Sequence, residues 1–322
     1  MARAPRRGAG GGGGGRLRGL QPAGAARGGG PVARLPALLA AAALLAAGCG
    51  GSSSQPARKH VHEGPALCTR LHARVVGHVD SAAATELSGL VLSRTHHGVL
   101  WSHNDSGGLP ELFAIGLDGR LRGTLHLIGA TNVDWEDIAA AGGSLYAGDI
   151  GDNLAQRPSI TVYKVSERSL DGWAQPERFD LRYPDGAHDA EALLVDPTDG
   201  SLVVITKSLS GEASAYEARP GRETMRRVAR IRLGNALPVT AADVSADGRT
   251  VVVRTYDRLF VWSRRRGETL AHVFHRSPCT AGADLLVEGQ GESAALTKDG
   301  RALYTVPEGK RPPLRRWAPG PR

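Results

Sequence analysis

Four glutamates, Glu86, Glu136, Glu191 and Glu292, stand at comparable places along a chain of 322 residues. Three of them follow a polar residue by two positions, giving Asp134/Glu136, Asp189/Glu191 and Gln290/Glu292. On a strand, residues i and i+2 share a side, so each pair can face one cavity. Asn104-Asp105 and Asp149-Ile150-Gly151-Asp152-Asn153 add oxygen side chains, with Gly151 permitting a tight bend. Carboxylates gathered at one opening raise one another's pKa and need a counter-charge. A hard cation supplies it, and calcium takes oxygen ligands of these types. The expected metal ligands are Glu86, Asp105, Asp134, Glu136, Asp149, Asp189, Glu191 and Glu292, with calcium as the ion. Zinc is disfavoured, because the chain has no HExxH, paired CxxC or clustered histidine spacing.

Lys207 and Arg254 fall beside these acids, and with Asn104 they suit a small anionic ligand such as a phosphate or carboxylate. Internal pairing of the two cations with Glu191 or Glu292 is the competing use. His103 is the candidate general base and Glu136 the second candidate catalytic group. No GxSxG elbow occurs, and Ser88 and Ser106 have no assigned His–Asp partners. Metal-assisted phosphoester hydrolysis and non-catalytic ligand binding or scaffolding both remain open. Glycan binding ranks behind them, since few aromatics fall near the acids.

A repeat must position these residues. A turn ending in glycine and running straight into an apolar strand occurs at Gly98, Gly143, Gly200, Gly248 and Gly300, spaced 45, 57, 48 and 52 residues apart. Short strands at a period near 50 indicate radially repeated four-stranded sheets, hence an all-β β-propeller of five blades, with six as the alternative. Inner strands are expected to open near residues 90, 136, 191, 240 and 292. The outer strand of blade four is expected at 270–275. Blade five lacks an outer strand, and the segment 71–79 is expected to complete it and close the ring.

Residues 1–48 read as a lipoprotein signal peptide: seven arginines, no acid, a glycine run, and an apolar stretch at 35–47 too short to span a bilayer. Cys49 after Ala-Gly is the expected lipidation site, 49–66 a flexible tether, 67–318 the propeller and 319–322 a tail. Without the seven arginines the formal charge of +8 falls to about +1, so the basic balance does not point to nucleic acid. Cys68 and Cys279 then remain as an even pair suited to a disulfide in an oxidising compartment. The expected setting is the extracytoplasmic face of the cell membrane, held by lipid, as a monomer.

Asn104-Asp105-Ser106-Gly107, Asp134-Trp135-Glu136-Asp137-Ile138-Ala139, Gly148-Asp149-Ile150-Gly151-Asp152-Asn153, Asp189-Ala190-Glu191-Ala192-Leu193 and Gln290-Gly291-Glu292 resemble a group of secreted bacterial β-propeller proteins frequent in actinobacteria. The resemblance covers roughly residues 84 to 310. More distantly the chain is similar to phytase-like and esterase-like propellers. Similarity to the calcium-dependent phytases implies that Glu86, Glu136, Asp149, Glu191 and Glu292 hold calcium, with Lys207 and Arg254 on a phosphate. The aspartate-rich opening motif of those phytases is missing here.

Overall fold

The computed structural model describes residues 65–321, and the expected signal peptide, Cys49 and most of the tether lie outside them. The chain begins with β1 (Leu71–His78), whose partner comes from the far end of the sequence. Blade one is β2 (Leu87–Leu92), β3 (Val99–Asn104), β4 (Glu111–Gly116) and β5 (Leu121–Leu127). Blade two follows with β6 (Trp135–Ala141), β7 (Ser144–Asp149) and β8 (Ile160–Ser166). Its next strand, β9 (Gly172–Ala174), crosses to pair in parallel with β5 as a fifth strand of blade one. β10 (Glu177–Leu181) returns to complete blade two. Blade three is β11 (Ala190–Val195), β12 (Leu202–Thr206), β13 (Glu212–Ala218) and β14 (Arg226–Arg232). Blade four is β15 (Val239–Val244), β16 (Thr250–Thr255), β17 (Leu259–Ser263) and β18 (Cys279–Ala281). Blade five is β19 (Ala295–Leu296), β20 (Leu303–Thr305) and β21 (Pro313–Pro319), and its outer strand is β1, antiparallel to β21. Five four-stranded antiparallel blades closed by the N-terminal strand make the β-propeller.

The glycine turns work as the repeat requires. Gly98, Gly143, Gly200, Gly248 and Gly300 all have positive φ, between 64° and 75°, which a side chain would oppose. The core is five apolar layers, one between each pair of neighbouring blades. The layer holding Leu90, Leu100 and Phe113 of blade one with Ala295, Tyr304 and Leu314 of blade five closes the ring. Each blade is covered on both faces, so strands such as β11 are buried along their whole length instead of alternating with solvent.

Blade four departs from expectation. Residues 270–275 do not form its outer strand; Leu270–Val273 is one turn of helix, α1, with the Thr269 hydroxyl accepting from the His272 N–H. The buried set Leu270, Ala271, Val273 and Phe274 has helical spacing, and the strand falls instead at β18. Cys279 of β18 is disulfide-bonded to Cys68 just before β1, which ties the outer strands of blades four and five together.

Below the mouth the inner strands meet across the axis. The Gly89 N–H of blade one donates to the Glu292 carbonyl of blade five at 2.8 Å. The buried Asp137 carboxylate accepts from the N–H groups of Ile138, Leu193 and Ala242, joining blades two, three and four. Asp243 accepts from Val244 and from Leu296 of blade five. The opening therefore has a floor of backbone and buried carboxylates.

Candidate functional site

Five equivalent backbone hydrogen bonds set the register around the mouth. The residue just past the second strand of each blade donates to a residue just before, or at the root of, the first: Asp105 to Glu86, Ile150 to Asp134, Lys207 to Asp189, Tyr256 to Pro238 and Glu308 to Gln290, at 2.8–3.3 Å. Two residues further in stand Ser88, Glu136, Glu191, Thr240 and Glu292. The ladders of blades two, three and four each slip by one residue at this point, at Glu136, Glu191 and Thr240. Such a bulge re-aims a side chain, here the one nearest the axis.

This register gathers three overlapping groups of acids: Asp105/Asp134/Glu136, Asp105/Glu292/Glu308 and Glu136/Asp189/Glu191. Within each group one oxygen per residue lies within 4.8 Å of the others, which is a spacing that could hold a metal ion. Glu136 is 4 % exposed and, among the described residues, accepts no side-chain hydrogen bond or ion pair. One Asp105 oxygen, Oδ1, is buried without a hydrogen-bond partner among the described residues. A Cβ on Gly151 would run into the Glu136 and Asp134 carboxylates, so a glycine is needed where the loop passes this cradle.

Burial, then the neighbouring Glu191, Asp105 and Asp134, push the Glu136 carboxyl far above the usual carboxylate range. Burial, then Glu292 and Asp134, push Asp105 up to about 6. Asp134 is raised by burial and then by Asp189. Glu308 is pushed up to about 7 by burial and then by Glu292. Burial also takes Glu191 to about 7, against the pull of Lys207, whose ammonium lies 2.5 Å from it. Burial disfavours that ammonium, but the Glu191 carboxylate holds it charged and above its ordinary value. Tyr256 donates to Glu292 at 2.6 Å. A divalent cation among these oxygens would let the carboxyls ionise.

Of the expected ligands, the structure brings together Asp105, Asp134, Glu136, Asp189, Glu191 and Glu292, and it adds Glu308. Glu86 is not level with Glu136: it lies two residues further out, is exposed, and belongs to none of the three groups. Asp149 is buried but spent on structure, pairing with Arg157 at 2.8 Å and accepting from the Asp134 N–H. Asn104 is turned to its own loop, donating to the Ala83 carbonyl and accepting from the Glu86 N–H.

His103 and Arg254 occupy the same step of the repeat, one residue before the end of the second strand, and both are fully buried. His103 packs edge-on to Trp135, and burial holds its pKa down to about 4, so it does not stand at the mouth as a base. Arg254 pairs with buried Glu288 at 2.7 Å and donates to the Ser293 carbonyl. Lys207 does reach the mouth, engaged by Glu191. The sequence reading passed over Glu288 and Asp137. Glu308 was visible as the fifth copy of the Asp105 position.

No family model and no curated protein matches the chain. Solved structures with some likeness include the mitotic checkpoint complex, 18 % identical with a TM-score of 0.37, over 71 % of this chain and 61 % of that one. Another is the PQQ-bound aldose sugar dehydrogenase of Streptomyces coelicolor, 10 % identical with a TM-score of 0.46, over 80 % of this chain and 99 % of that one. This chain thus spans about three-fifths of the length of the first. Such likenesses carry no argument about chemistry.

Proposed function

We propose that the mouth is a calcium site that presents its ion to a small anionic ligand, a phosphate or carboxylate. Glu136 carries the reading: a carboxyl buried to 4 % exposure, with no side-chain hydrogen bond or ion pair among the described residues, shared between two groups of further acids. Asp105, Asp134 and Glu136 would hold the ion, and an all-oxygen donor set selects calcium over zinc. A bound cation would supply Lewis-acid stabilisation to an oxyanion. Lys207 places a second positive group at the same opening while restraining Glu191.

One observation favours binding without turnover over phosphoester hydrolysis. The expected base, His103, is sealed from the mouth. Calcium-dependent hydrolysis of a generic phosphoester, lost in Glu136→Gln, would reverse that preference. The disulfide suits an oxidising compartment, in line with export and anchoring through Cys49. Fatty-acid labelling that persists in Cys49→Ala would remove the anchor. The cation site is tested by thermal melting in calcium and in chelator, with native mass spectrometry. Calcium should raise the melting temperature and add mass. No shift and no added mass would end the reading.

A further inference from the structure

One loop at the mouth grips two of the acid groups at once. It runs from Asp149, at the end of β7, to Arg157. Its first residues enclose the backbone of Asp134. The Asp149 carboxylate accepts from the Asp134 N–H at 3.1 Å, and the Asp134 carbonyl accepts from the Ile150 and Gly151 N–H groups, both at 3.1 Å. Gly151 then passes against the Asp134 and Glu136 carboxylates, closer than any Cβ would allow. The Asp152 N–H donates to the Asp189 carboxylate at 2.8 Å. Asp134 and Glu136 belong to one candidate cation group, Glu136 and Asp189 to another.

Arg157 fixes this loop. Its Nη1 lies 2.8 Å from Asp149 Oδ1 and donates to the Gly151 carbonyl at 2.7 Å, while Nη2 donates to the Asp149 carbonyl at 3.2 Å. The Arg157 and Gln156 N–H groups donate to the Asp152 carboxylate at 2.7 and 3.0 Å. Ala155, inside this ring of bonds, has a φ of 49°. L side chains avoid that conformation, and where it persists the surroundings enforce it. The Asp149 side chain is 2 % exposed and that of Arg157 20 %, so their contact is no loose surface bridge.

We propose that Arg157 is a positioning residue for the cation site. Its ion-pair partner among the described residues is Asp149, which belongs to none of the three acid groups, so it acts at second hand. Through Asp149 it holds the Asp134 backbone, and through the Gly151 carbonyl it holds the wall beside Glu136. The same loop carries the Asp152 N–H to Asp189. Glu136, 4 % exposed and accepting no side-chain hydrogen bond or ion pair among the described residues, is the carboxyl this wall serves. The charge of Arg157 works the other way, since a guanidinium beside a site for cations repels them. Placement and charge therefore predict opposite signs. The inference rests on the calcium reading, because the affinity for that ion is what the positioning sets.

The test is calorimetric titration of the full chain, Arg157→Met and Arg157→Lys with calcium, beside melting of each in chelator. Arg157→Met should bind calcium about 10- to 100-fold more weakly, the loss typical of removing a partner that orients metal ligands. Arg157→Lys should fall between it and wild type, because an ammonium meets Asp149 as a point charge without the planar fork. On charge alone, Arg157→Met would bind more tightly and Arg157→Lys as wild type does. Either of those results overturns the inference, as does a lower melting temperature in chelator with calcium affinity unchanged. Should Arg157→Met fail to fold, Arg157→Lys carries the test; failure of both to fold overturns the assignment by making Arg157 a structural residue. Calcium binding by wild type with unaltered variants removes this inference alone, whereas no binding by wild type removes the cation site with it.

Discussion

Glu136→Gln should stabilise the metal-free protein at neutral pH and abolish its response to calcium. Glu136 is 4 % exposed and faces Glu191, Asp105 and Asp134, so the folded protein keeps its carboxyl protonated well above the ordinary value of 4.5. In the unfolded chain the proton leaves near that ordinary value. Retaining it at pH 7 costs roughly 1.4 kcal/mol for each of about 2.5 pH units, or about 3 kcal/mol. Because the folded pKa is raised, this penalty is absent below about pH 4.5 and grows as pH rises toward the folded pKa. Glutamine keeps the shape, carries no such proton, and can donate to the neighbouring carboxylates.

The variant should therefore match wild type near pH 4.5 and exceed it by about 3 kcal/mol at pH 7, a rise of roughly 6–12 °C in melting temperature. Calcium at about a hundred times its dissociation constant should add about 2.7 kcal/mol to wild type and nothing to the variant. Urea titrations in chelator across this pH range, repeated in calcium, measure both. A variant less stable than wild type in chelator at pH 7 would refute the reasoning, as would wild-type stability indifferent to calcium.

Arg254→Met removes the closer guanidinium from buried Glu288 and leaves it Arg315 at 3.3 Å and the Thr305 hydroxyl, so it should cost about 1–3 kcal/mol in urea unfolding while calcium affinity holds; the reverse pattern would return Arg254 to the ligand site. Lys207→Met leaves Glu191, 1 % exposed, without its cation; stability in chelator should fall by about 3 kcal/mol and recover in calcium, as followed by melting. Reducing Cys68–Cys279, bonded across 211 residues, should cost about 5 kcal/mol by chain entropy, measured as a fall in the urea midpoint.

Much of the ring was legible because its signals are local. A glycine at positive φ before an apolar run marks the same turn in every blade, and a blade short of one strand implies a partner elsewhere in the chain. The outer strand of blade four was not legible. A short apolar run such as 270–274 satisfies a strand and one helical turn alike, and the Thr269 cap with packing against blade three decides between them. At the mouth, the pairs Asp134/Glu136 and Asp189/Glu191 could be read from period-two spacing. His103 and Arg254 were misplaced by one step, and in a strand one step exchanges the cavity for the packed face.

The sequence by itself determined the repeat, the closing strand and the acid pairs at the start of the inner strands, since these follow from turn chemistry and alternation within a few residues, while the sheet topology decided five blades over six. Only the tertiary structure decided which carboxylates meet. The approach of Glu308 of blade five to Asp105 of blade one, and of Glu136 of blade two to Glu191 of blade three, depends on how neighbouring blades tilt about a common axis. That tilt is set by the five apolar layers between blades, whose packing joins residues far apart in the chain.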